Sequence, residues 1–270
     1  MGASARHLVL IVLCLFVLVP VAILAADALR SSGAIKAQPI GVPAPPLWQN
    51  FAGAWTAAGY GAAFVNSLVV CAIAVAGVLV LAALSGYGLA RMRVRGSGFF
   101  VVYYLIGLTL PAQLYLTPLF IAWVHLDLTN NLFGLAIIYW GNYTPFSVLL
   151  LRSYFLSLPV DFEEAARVDG ASELQVLRHV VAPLSWPAIA TVAVMVGVWA
   201  WNEYLFALTF LNIPSAETVA VRFYAFTGQY ISNFADIAAA GVMMVIPPVL
   251  LFLLLQRRFI QGLSAGGLKG

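Results

Sequence analysis

The sequence predicts an all-α, polytopic membrane protein with six transmembrane helices. Hydrophobic residues make up 63% of the 270 residues and charged residues only 9%, whereas about a quarter of the residues in a soluble domain are charged. Six apolar segments also reach the roughly 20 residues that a helix needs to cross the hydrocarbon core. These segments, which we assign to one transmembrane domain over residues 1–270, cover residues 8–29, 65–90, 98–122, 131–151, 184–211 and 236–255.

The distribution of positive charge predicts the orientation of the spans. Six spans place both termini on the same side, and cytoplasmic loops carry an excess of Lys and Arg. Of the 13 Lys and Arg residues, three (Arg30, Lys36 and Arg222) fall on one face and 13 − 3 = 10 on the other. Both termini, including the tail over residues 256–270, are therefore predicted to be cytoplasmic. The ten residues on that face are Arg6, Arg91, Arg93, Arg95, Arg152, Arg167, Arg178, Arg257, Arg258 and Lys269.

The first apolar segment raises the question of a cleavable signal peptide. Its run from Leu8 to Ala26 is longer than the roughly 7–15 residues of a signal-peptide core. We therefore predict an uncleaved membrane anchor.

A short polar island, EEAARVDGASELQ over residues 163–175, interrupts the apolar pattern between the fourth and fifth spans. Asp161 stands three residues before Glu164, a spacing typical of an N-terminal helix cap, and Gly170 follows as a helix stop. This pattern predicts a first short helix over about residues 162–169.

A second helix is predicted directly after the glycine turn. Ser172 and Gln175 have the spacing of a capping box, and the helix is expected to end before Pro183. Leu174, Leu177 and Val181 are expected to share its apolar side. The pair fits either a well-formed cytoplasmic loop or a docking element that transmits the movement of a partner to the spans.

The residues of this island resemble the EAA motif of bacterial binding-protein-dependent ABC importer permeases. The likeness rests on the EAA triplet, on the following Asp-Gly-Ala and on Pro183, thirteen positions after Gly170. The family motif usually ends in Ile-x-Leu-Pro, where this chain has VVAP over residues 180–183. The resemblance implies that residues 161–182 form coupling helices that dock on an ATPase subunit. The implied coupling residues are Glu163, Glu164, Ala165, Ala166, Asp169, Gly170, Ala171 and Pro183.

Three further stretches resemble the carbohydrate-uptake branch of these permeases, such as the smaller membrane subunit of the maltose transporter. They are NSL at residues 66–68, WNEYLFAL at 201–208 and the tail QRRFIQGLSAGGLKG at 256–270. The resemblance implies that the tail reaches the interface between the ATPase subunits. The tail residues concerned are Gln261, Gly262, Ser264, Gly266, Gly267 and Lys269.

The same resemblance implies the partners of the chain and its place in the cell. It implies a multi-pass protein of the bacterial cytoplasmic (inner) membrane, embedded in the lipid bilayer, with no nucleic-acid partner. A second homologous permease subunit, ABC ATPase subunits carrying ATP and Mg, and an extracytoplasmic sugar-binding protein would complete the transporter. The outer loop, over about residues 212–235, would contact the binding protein through Tyr224, Gln229, Tyr230 and Asn233.

Polar and aromatic residues within the spans are predicted to line the translocation path. Glu203 stands out because an ionisable group in a span is costly to bury and usually functional. The other interpretation is that these side chains form hydrogen bonds between helices or gather at the membrane interfaces. The predicted path residues are Gln113, Tyr115, Asn142, Tyr143, Asn202, Glu203 and Tyr204.

The sequence offers no catalytic or metal-binding pattern. It contains no phosphate-binding loop, no H-E-x-x-H and no G-x-S-x-G. The two cysteines, Cys14 and Cys71, lie in apolar runs without a CxxC pattern. The chain is therefore predicted to be a transport subunit that binds no cofactor, with ATP hydrolysis carried out by another chain.

Other functions stay open at this point. An importer of a polyol or a glycerophosphodiester would share the same motifs. A self-contained secondary transporter or channel would also have six spans, but it should show an ion relay and inverted repeats. An intramembrane enzyme would need a catalytic pair at matched depth.

Overall fold

A computed structural model describes residues 3–92, 94–229 and 233–267, and the side chains of residues 6–92, 94–229 and 233–256. Over these residues the chain forms helices and no strands. The helices are α1 (Ala3–Asp27), α2 (Ser32–Ala37), α3 (Gln49–Ala57), α4 (Tyr60–Arg91), α5 (Ser97–Thr109), α6 (Ala112–His125), α7 (Leu132–Ser157), α8 (Asp161–Val168), α9 (Glu173–Val176), α10 (Ala182–Leu184), α11 (Trp186–Asn202), α12 (Leu205–Phe210), α13 (Val219–Gln229) and α14 (Phe234–Gly267). A π-helical turn, Leu177–Val181, joins α9 to α10.

Four of the helices are long and apolar enough to cross a membrane by themselves. They are α1, α4, α7 and α14, with candidate spans at Arg6–Asp27, Tyr60–Arg91, Leu132–Ser157 and Phe234–Gln256. Two further segments reach that length only as bent pairs. The pair of α5 and α6 is bent by 96°, and the pair of Glu173–Leu184 and Trp186–Asn202 by 83°. The described residues thus contain four candidate spans, or up to six if each bent pair counts as one.

The predicted spans over residues 98–122 and 184–211 are both interrupted. The backbone is extended at Leu110 and Pro111, between α5 and α6. Pro187 lies in the first turn of α11, where its missing amide hydrogen costs no helical hydrogen bond. At the other end of α11, residues 203 and 204 leave the helix before α12 begins. Other prolines, at positions 118 and 145, lie inside helices that continue past them.

The chain divides into two compact units. The first comprises residues 1–64 and 218–247, and the second comprises residues 65–217 and 248–270. In the first unit Arg30 is buried at 5% exposure. Its guanidinium lies 2.8 Å from the Asp27 carboxylate and donates to the carbonyl oxygens of Ala34 at 2.9 Å and Gln38 at 2.6 Å. This arginine therefore organises the segment that follows α1.

In the second unit α4 packs through a narrow stripe of small side chains. Val70, Ala74, Val78 and Ala82 recur every fourth residue and are all buried, as the helical repeat requires. Beside this stripe, the indole of Trp140 covers position 77, where a Cβ would stand 2.1 Å from two of its ring atoms. Only glycine leaves room for the ring there.

Candidate functional site

The polar island forms a helix, a glycine turn and a second helix, as the sequence predicts. The first helix is α8, and Gly170 follows it with φ +84°, a conformation that glycine adopts at little cost. The Ser172 amide donates to the Gln175 side chain at 2.8 Å, and both halves of the predicted capping box are present. These features confirm the turn and the start of the second helix.

Three details of the island differ from the sequence interpretation. Val160, not Asp161, is the N-cap of α8, and no side chain caps the helix. The predicted stop at Pro183 is wrong because the chain stays helical to Leu184. Pro183 lies in the last turn of this helical stretch, two residues after the π-helical turn Leu177–Val181.

The third difference is the side of the second helix that is buried. Leu174 is 64% exposed, whereas Val176, Leu177 and Val181 are buried. Glu173 turns toward Tyr87 and Arg167. Successive residues on a helix point about 100° apart. Leu174, which follows Glu173, therefore points away from Tyr87 and Arg167.

Glu163 is the buried centre of an ion-pair network, which we call the α8 clamp: Tyr87, Arg91, Glu163, Arg167 and Glu173. Only 2% of the Glu163 side chain is exposed. Its Oε1 atom lies 2.8 Å from Nε of Arg91, and its Oε2 atom lies 3.2 Å from Nη2 of Arg167. The clamp therefore joins α8 to the last residue of α4.

The second acid of the α8 clamp completes the network. Nε of Arg167 donates to Glu173 Oε1 at 2.8 Å, and the Tyr87 hydroxyl donates to Glu173 Oε2 at 2.6 Å. The hydrogen bond to Glu173 raises the pKa of Arg167 above its usual value. Through its bonds to Glu163 and Glu173, the guanidinium ties the two helices of the island together.

The remaining motif residues face outward and form a separate surface. Glu164, Ala165, Asp169 and Gly170 are exposed, although Glu164 is the direct neighbour of the buried Glu163. Ala166 and Ala171 are partly exposed, and Pro183 is exposed. Together with the exposed apolar residues Phe162, Val168 and Leu174, these residues form what we call the island surface. A concavity of about 300 Å³ on it is lined by Ala166, Asp169, Gly170, Ala171, Gln175, His179 and Val180.

A larger cavity of about 540 Å³ lies among the spans of the second unit; we call it the span cavity. Four of the predicted path residues line it: Asn142, Tyr143, Asn202 and Glu203. The rest of its lining is Leu108, Phe146, Val198 and Trp199. Sequence reasoning missed Trp199 and Phe146, although Phe146 stands one helical turn after Asn142 and shares its face.

Glu203 lies in the break between α11 and α12. Its carboxylate accepts the Tyr139 hydroxyl at 2.8 Å and the backbone amides of Phe206 and Ala207 at 2.9 and 3.0 Å. The side chain thus supplies acceptors for two amides at the start of α12, which have no partner within the helix.

The other predicted path residues lie around the span cavity or apart from it. The Tyr115 hydroxyl donates to the Asn142 side chain at 3.0 Å, so Tyr115 orients a residue of the lining. Gln113 and Tyr204 are not among the lining residues.

The predicted outer loop contains a helix and is anchored at several points. Within residues 212–235, helix α13 carries Tyr224 and ends at Gln229, and both side chains are exposed. The side-chain oxygen of Asn233 accepts from the Ser32 hydroxyl at 2.6 Å, and its side-chain nitrogen donates to the Asp236 carboxylate. Tyr230 lies outside the described residues.

Two asparagines hold the loop of residues 211–217 in the second unit. The Asn66 side chain, in the NSL stretch, donates to the carbonyl oxygens of Ser215 at 2.8 Å and Glu217 at 3.0 Å. The Asn130 side chain accepts from the backbone amides of Asn212 and Ile213. The NSL stretch therefore has a clear local role in shaping this loop.

The tail is helical over the part that the structure describes. Helix α14 continues past the predicted span end at residue 255 to Gly267. The side chains of Gln261 and Ser264 and the whole of Lys269 lie outside the described residues, and Gly262, Gly266 and Gly267 are described only by their helical backbone. Within the described part of the chain, no group of three or more His, Cys, Asp or Glu residues is placed to hold a metal ion.

The helical fold with its apolar spans defines a multi-pass membrane protein. Residues 78–265 match the family described as "Binding-protein-dependent transport system inner membrane component". The chain belongs to this family, whose EAA motif the island resembles.

Similar proteins point to the same group of transporters. The chain is 33% identical to the diacetylchitobiose uptake system permease protein NgcG of Streptomyces coelicolor, over 98% of this chain and 88% of that one. It is 31% identical to the melibiose/raffinose/stachyose import permease protein MelC of Bacillus subtilis, over 93% and 91%. A solved bacterial ABC transporter that imports the acidic polysaccharide alginate contains a chain with 25% identity and a TM-score of 0.79, matched over 96% of this chain and 99% of that one.

Proposed function

We propose that this chain is a non-catalytic permease subunit of an ATP-driven importer of carbohydrate. It forms part of the translocation path and pairs with a second, homologous permease in the bacterial inner membrane. An extracytoplasmic binding protein delivers the substrate, and ATPase subunits that hold ATP and Mg supply the energy. The named relatives support this proposal because they take up diacetylchitobiose, melibiose-type oligosaccharides and alginate.

The observation that carries the coupling role is the separation of two neighbouring acids. Glu163 is buried in the α8 clamp, whereas Glu164 belongs to the island surface. One acid therefore holds α8 to α4, and the other is left for a partner. We propose that the ATPase docks on the island surface and that the α8 clamp passes its movement to α4, so that ATP binding and hydrolysis switch access across the membrane.

The tail and outer-loop roles belong to the same proposal. Residues 261–269 approach the ATPase interface, and the loop with Tyr224, Gln229, Tyr230 and Asn233 receives the binding protein. The excess of cations on one predicted face supports cytoplasmic termini and a cytoplasmic island. Single cysteines at Ser97 and Ser215, in a chain with Cys14 and Cys71 replaced by Ala, test this orientation. With a membrane-impermeant maleimide on intact cells, we expect labelling only at position 215.

Affinity purification from the native membrane in mild detergent tests the coupling role. Wild type is compared with Glu164→Arg and with Ser215→Arg, a matched exposed position on the opposite predicted face. We expect wild type and Ser215→Arg to retain a second permease and an ATPase, and Glu164→Arg to lose only the ATPase. If all three forms purify alone and without ATPase activity, the importer assignment fails and a secondary transporter or channel takes its place.

The substrate alternative, a polyol or glycerophosphodiester, is tested by uptake. The complete transporter in proteoliposomes is supplied with its binding protein and with labelled oligosaccharides, glycerol derivatives or polyols. Transport of the oligosaccharides alone supports the proposal, whereas transport of glycerophosphodiesters alone overturns the carbohydrate assignment.

A further inference from the structure

The span cavity lies beside the break in one membrane-crossing segment and at the end of the α11 helix of another. Leu108 stands near the end of α5, just before the break at Leu110 and Pro111. Asn202 and Glu203 stand at the end of α11, where residues 203 and 204 leave the helix. Irregular backbone at membrane depth is tolerated where it lines a cavity, and such breaks mark substrate sites in many transporters. The position of the span cavity is therefore typical of a substrate-binding site in a transporter.

One side of the span cavity is an aromatic cluster. The Trp199 ring lies 5.2 Å from the Phe146 ring and 5.5 Å from the Tyr143 ring, measured between centroids. Trp199 and Phe146 remain partly exposed. Mutual contact fixes the orientation of the rings, which keeps an apolar surface ready for the C–H face of a pyranose ring.

The polar part of the lining is amide and carboxylate. Asn142 and Asn202 supply neutral amides, and Glu203 supplies a charge. The three groups that donate to Glu203 are a tyrosine hydroxyl and two backbone amides, all of them neutral. They orient the carboxylate and bring no positive charge to it.

No cation offsets this charge in the described part of the site. The residues that line the cavity include no Lys or Arg, and the ion pairs found among the described side chains involve other acids. An anionic solute beside Glu203 would therefore meet an uncompensated like charge.

We propose that the span cavity is a specificity site that admits uncharged saccharides and excludes saccharides bearing carboxylate or sulfonate groups. Trp199 contacts the sugar ring, Asn142 and Asn202 bind its hydroxyls, and Glu203 sets the charge preference. This inference rests on the proposed function and narrows it, because the relatives transport neutral and acidic saccharides alike. It also gives this chain a direct contact with substrate, rather than leaving selection to the binding protein.

The test uses the complete detergent-solubilised transporter without its binding protein, so that only the membrane subunits select. Saturation-transfer difference NMR detects weak binding of three probes: α-1,4-galactobiose, N,N′-diacetylchitobiose and α-1,4-digalacturonate. Galactobiose and digalacturonate differ only in the oxidation of their primary alcohols. Co-purification of the ATPase in the same preparation checks the proposed function separately.

We expect wild type to bind at least one neutral probe about tenfold more tightly than digalacturonate, the difference that a single uncompensated like charge readily produces. Glu203→Gln should remove that difference, and Glu203→Asp, which keeps the charge, should preserve it. Trp199→Ala should abolish binding of the neutral probe. Trp186→Ala, at an exposed indole of the same helix that does not line the cavity, should leave binding unchanged.

Two results would overturn the inference. In one, digalacturonate binds wild type as well as both neutral probes do. In the other, the preference survives in Glu203→Gln. If Glu203→Gln does not assemble, binding to wild type is measured instead at about 50 and about 500 mM KCl. Because salt screens the charge, the higher concentration should strengthen digalacturonate binding and leave galactobiose binding unchanged. Equal binding in a preparation that retains its ATPase overturns only this inference, whereas loss of ATPase from wild type overturns the proposed function.

Discussion

Nε of Arg91 lies 2.8 Å from Oε1 of Glu163, and this pair joins the last residue of α4 to the first turn of α8. Arg91 also donates from Nη2 to the carbonyl oxygen of Leu158, at 2.7 Å, just beyond α7. One arginine therefore connects a 32-residue apolar helix to the segment that follows another span and to the island. Displacement of α8 must either move the end of α4 or break a buried ion pair.

The first prediction concerns the α8 clamp. Glu163→Gln leaves two guanidinium groups without their shared carboxylate, and breaking a buried pair costs about 3 kcal/mol or more. We expect a clear fall in the thermal unfolding midpoint of the purified chain in detergent. Glu164→Gln, at the exposed neighbour, is the control and should leave the midpoint nearly unchanged. Equal effects of the two variants would show that the clamp adds little stability.

The second prediction concerns the contact of Trp140 with Gly77. A Cβ at position 77 would stand 2.1 Å from the indole, so Gly77→Ala forces the ring away from its hydrogen bond to the Ile73 carbonyl oxygen, 2.9 Å long. We expect destabilisation of about 1–3 kcal/mol, typical of overpacking. Thermal unfolding of the single and double variants measures it.

Trp140→Phe provides the internal control for that contact. A smaller ring makes room for the methyl group, so Gly77→Ala should cost less in the Trp140→Phe background than in wild type. If the two costs are equal and simply add, the close packing of this pair is not what restricts position 77 to glycine.

The third prediction concerns the hydrogen bond between Tyr139 and Glu203. Tyr139 is fully buried, and its hydroxyl lies 2.8 Å from the carboxylate. Removing it by Tyr139→Phe should cost about 1.5–3 kcal/mol, as for bonds to charged groups. Tyr115→Phe, which removes a 3.0 Å bond to the neutral Asn142 amide, should cost about 1 kcal/mol. Unfolding midpoints in the same detergent compare the two variants, and the reverse order would show that the bond between Tyr139 and Glu203 is not the stronger one.

The fourth prediction concerns the loop held by Asn66. The side-chain NH2 group of Asn66 donates to the backbone carbonyl oxygens of Ser215 and Glu217. Asn66→Ala should therefore speed amide hydrogen exchange in residues 213–218 and leave residues 160–176 unchanged. Asn66→Asp should be at least as disruptive, since a carboxylate cannot donate. Unchanged exchange in both variants would mean that the Asn130 contacts alone hold the loop.

Periodicity and turn chemistry made much of the architecture predictable. Gly170 and the Ser172–Gln175 box are read from local sequence because a left-handed turn and a capping box need only neighbouring residues. The broken spans were harder to predict. A proline such as Pro111 interrupts α5–α6, whereas Pro145 sits inside the continuous α7, and the difference depends on whether surrounding helices supply other partners.

Some residues of the candidate site could be predicted from the sequence, and others could not. Asn142 and Glu203 stood out because polar groups in an apolar span are rare, and both line the span cavity. Trp199 and Phe146 carried no such signal, because an aromatic residue in a span is as consistent with lipid contact as with a cavity. The sequence could not predict that Glu163 is buried and Glu164 exposed, because the two are adjacent residues of the same type.

The class of protein, the apolar segments, the glycine turn and the family motif could all be predicted from the sequence, since they depend on composition and on residues close together in the chain. Which acid is buried, where spans break and which side chains converge on the span cavity became known only from the three-dimensional packing. Those outcomes depend on contacts such as Arg91 with Glu163 and Tyr139 with Glu203, whose partners lie more than 60 residues apart. Local pattern carries no information about such distant partners, because packing alone brings them within hydrogen-bonding distance.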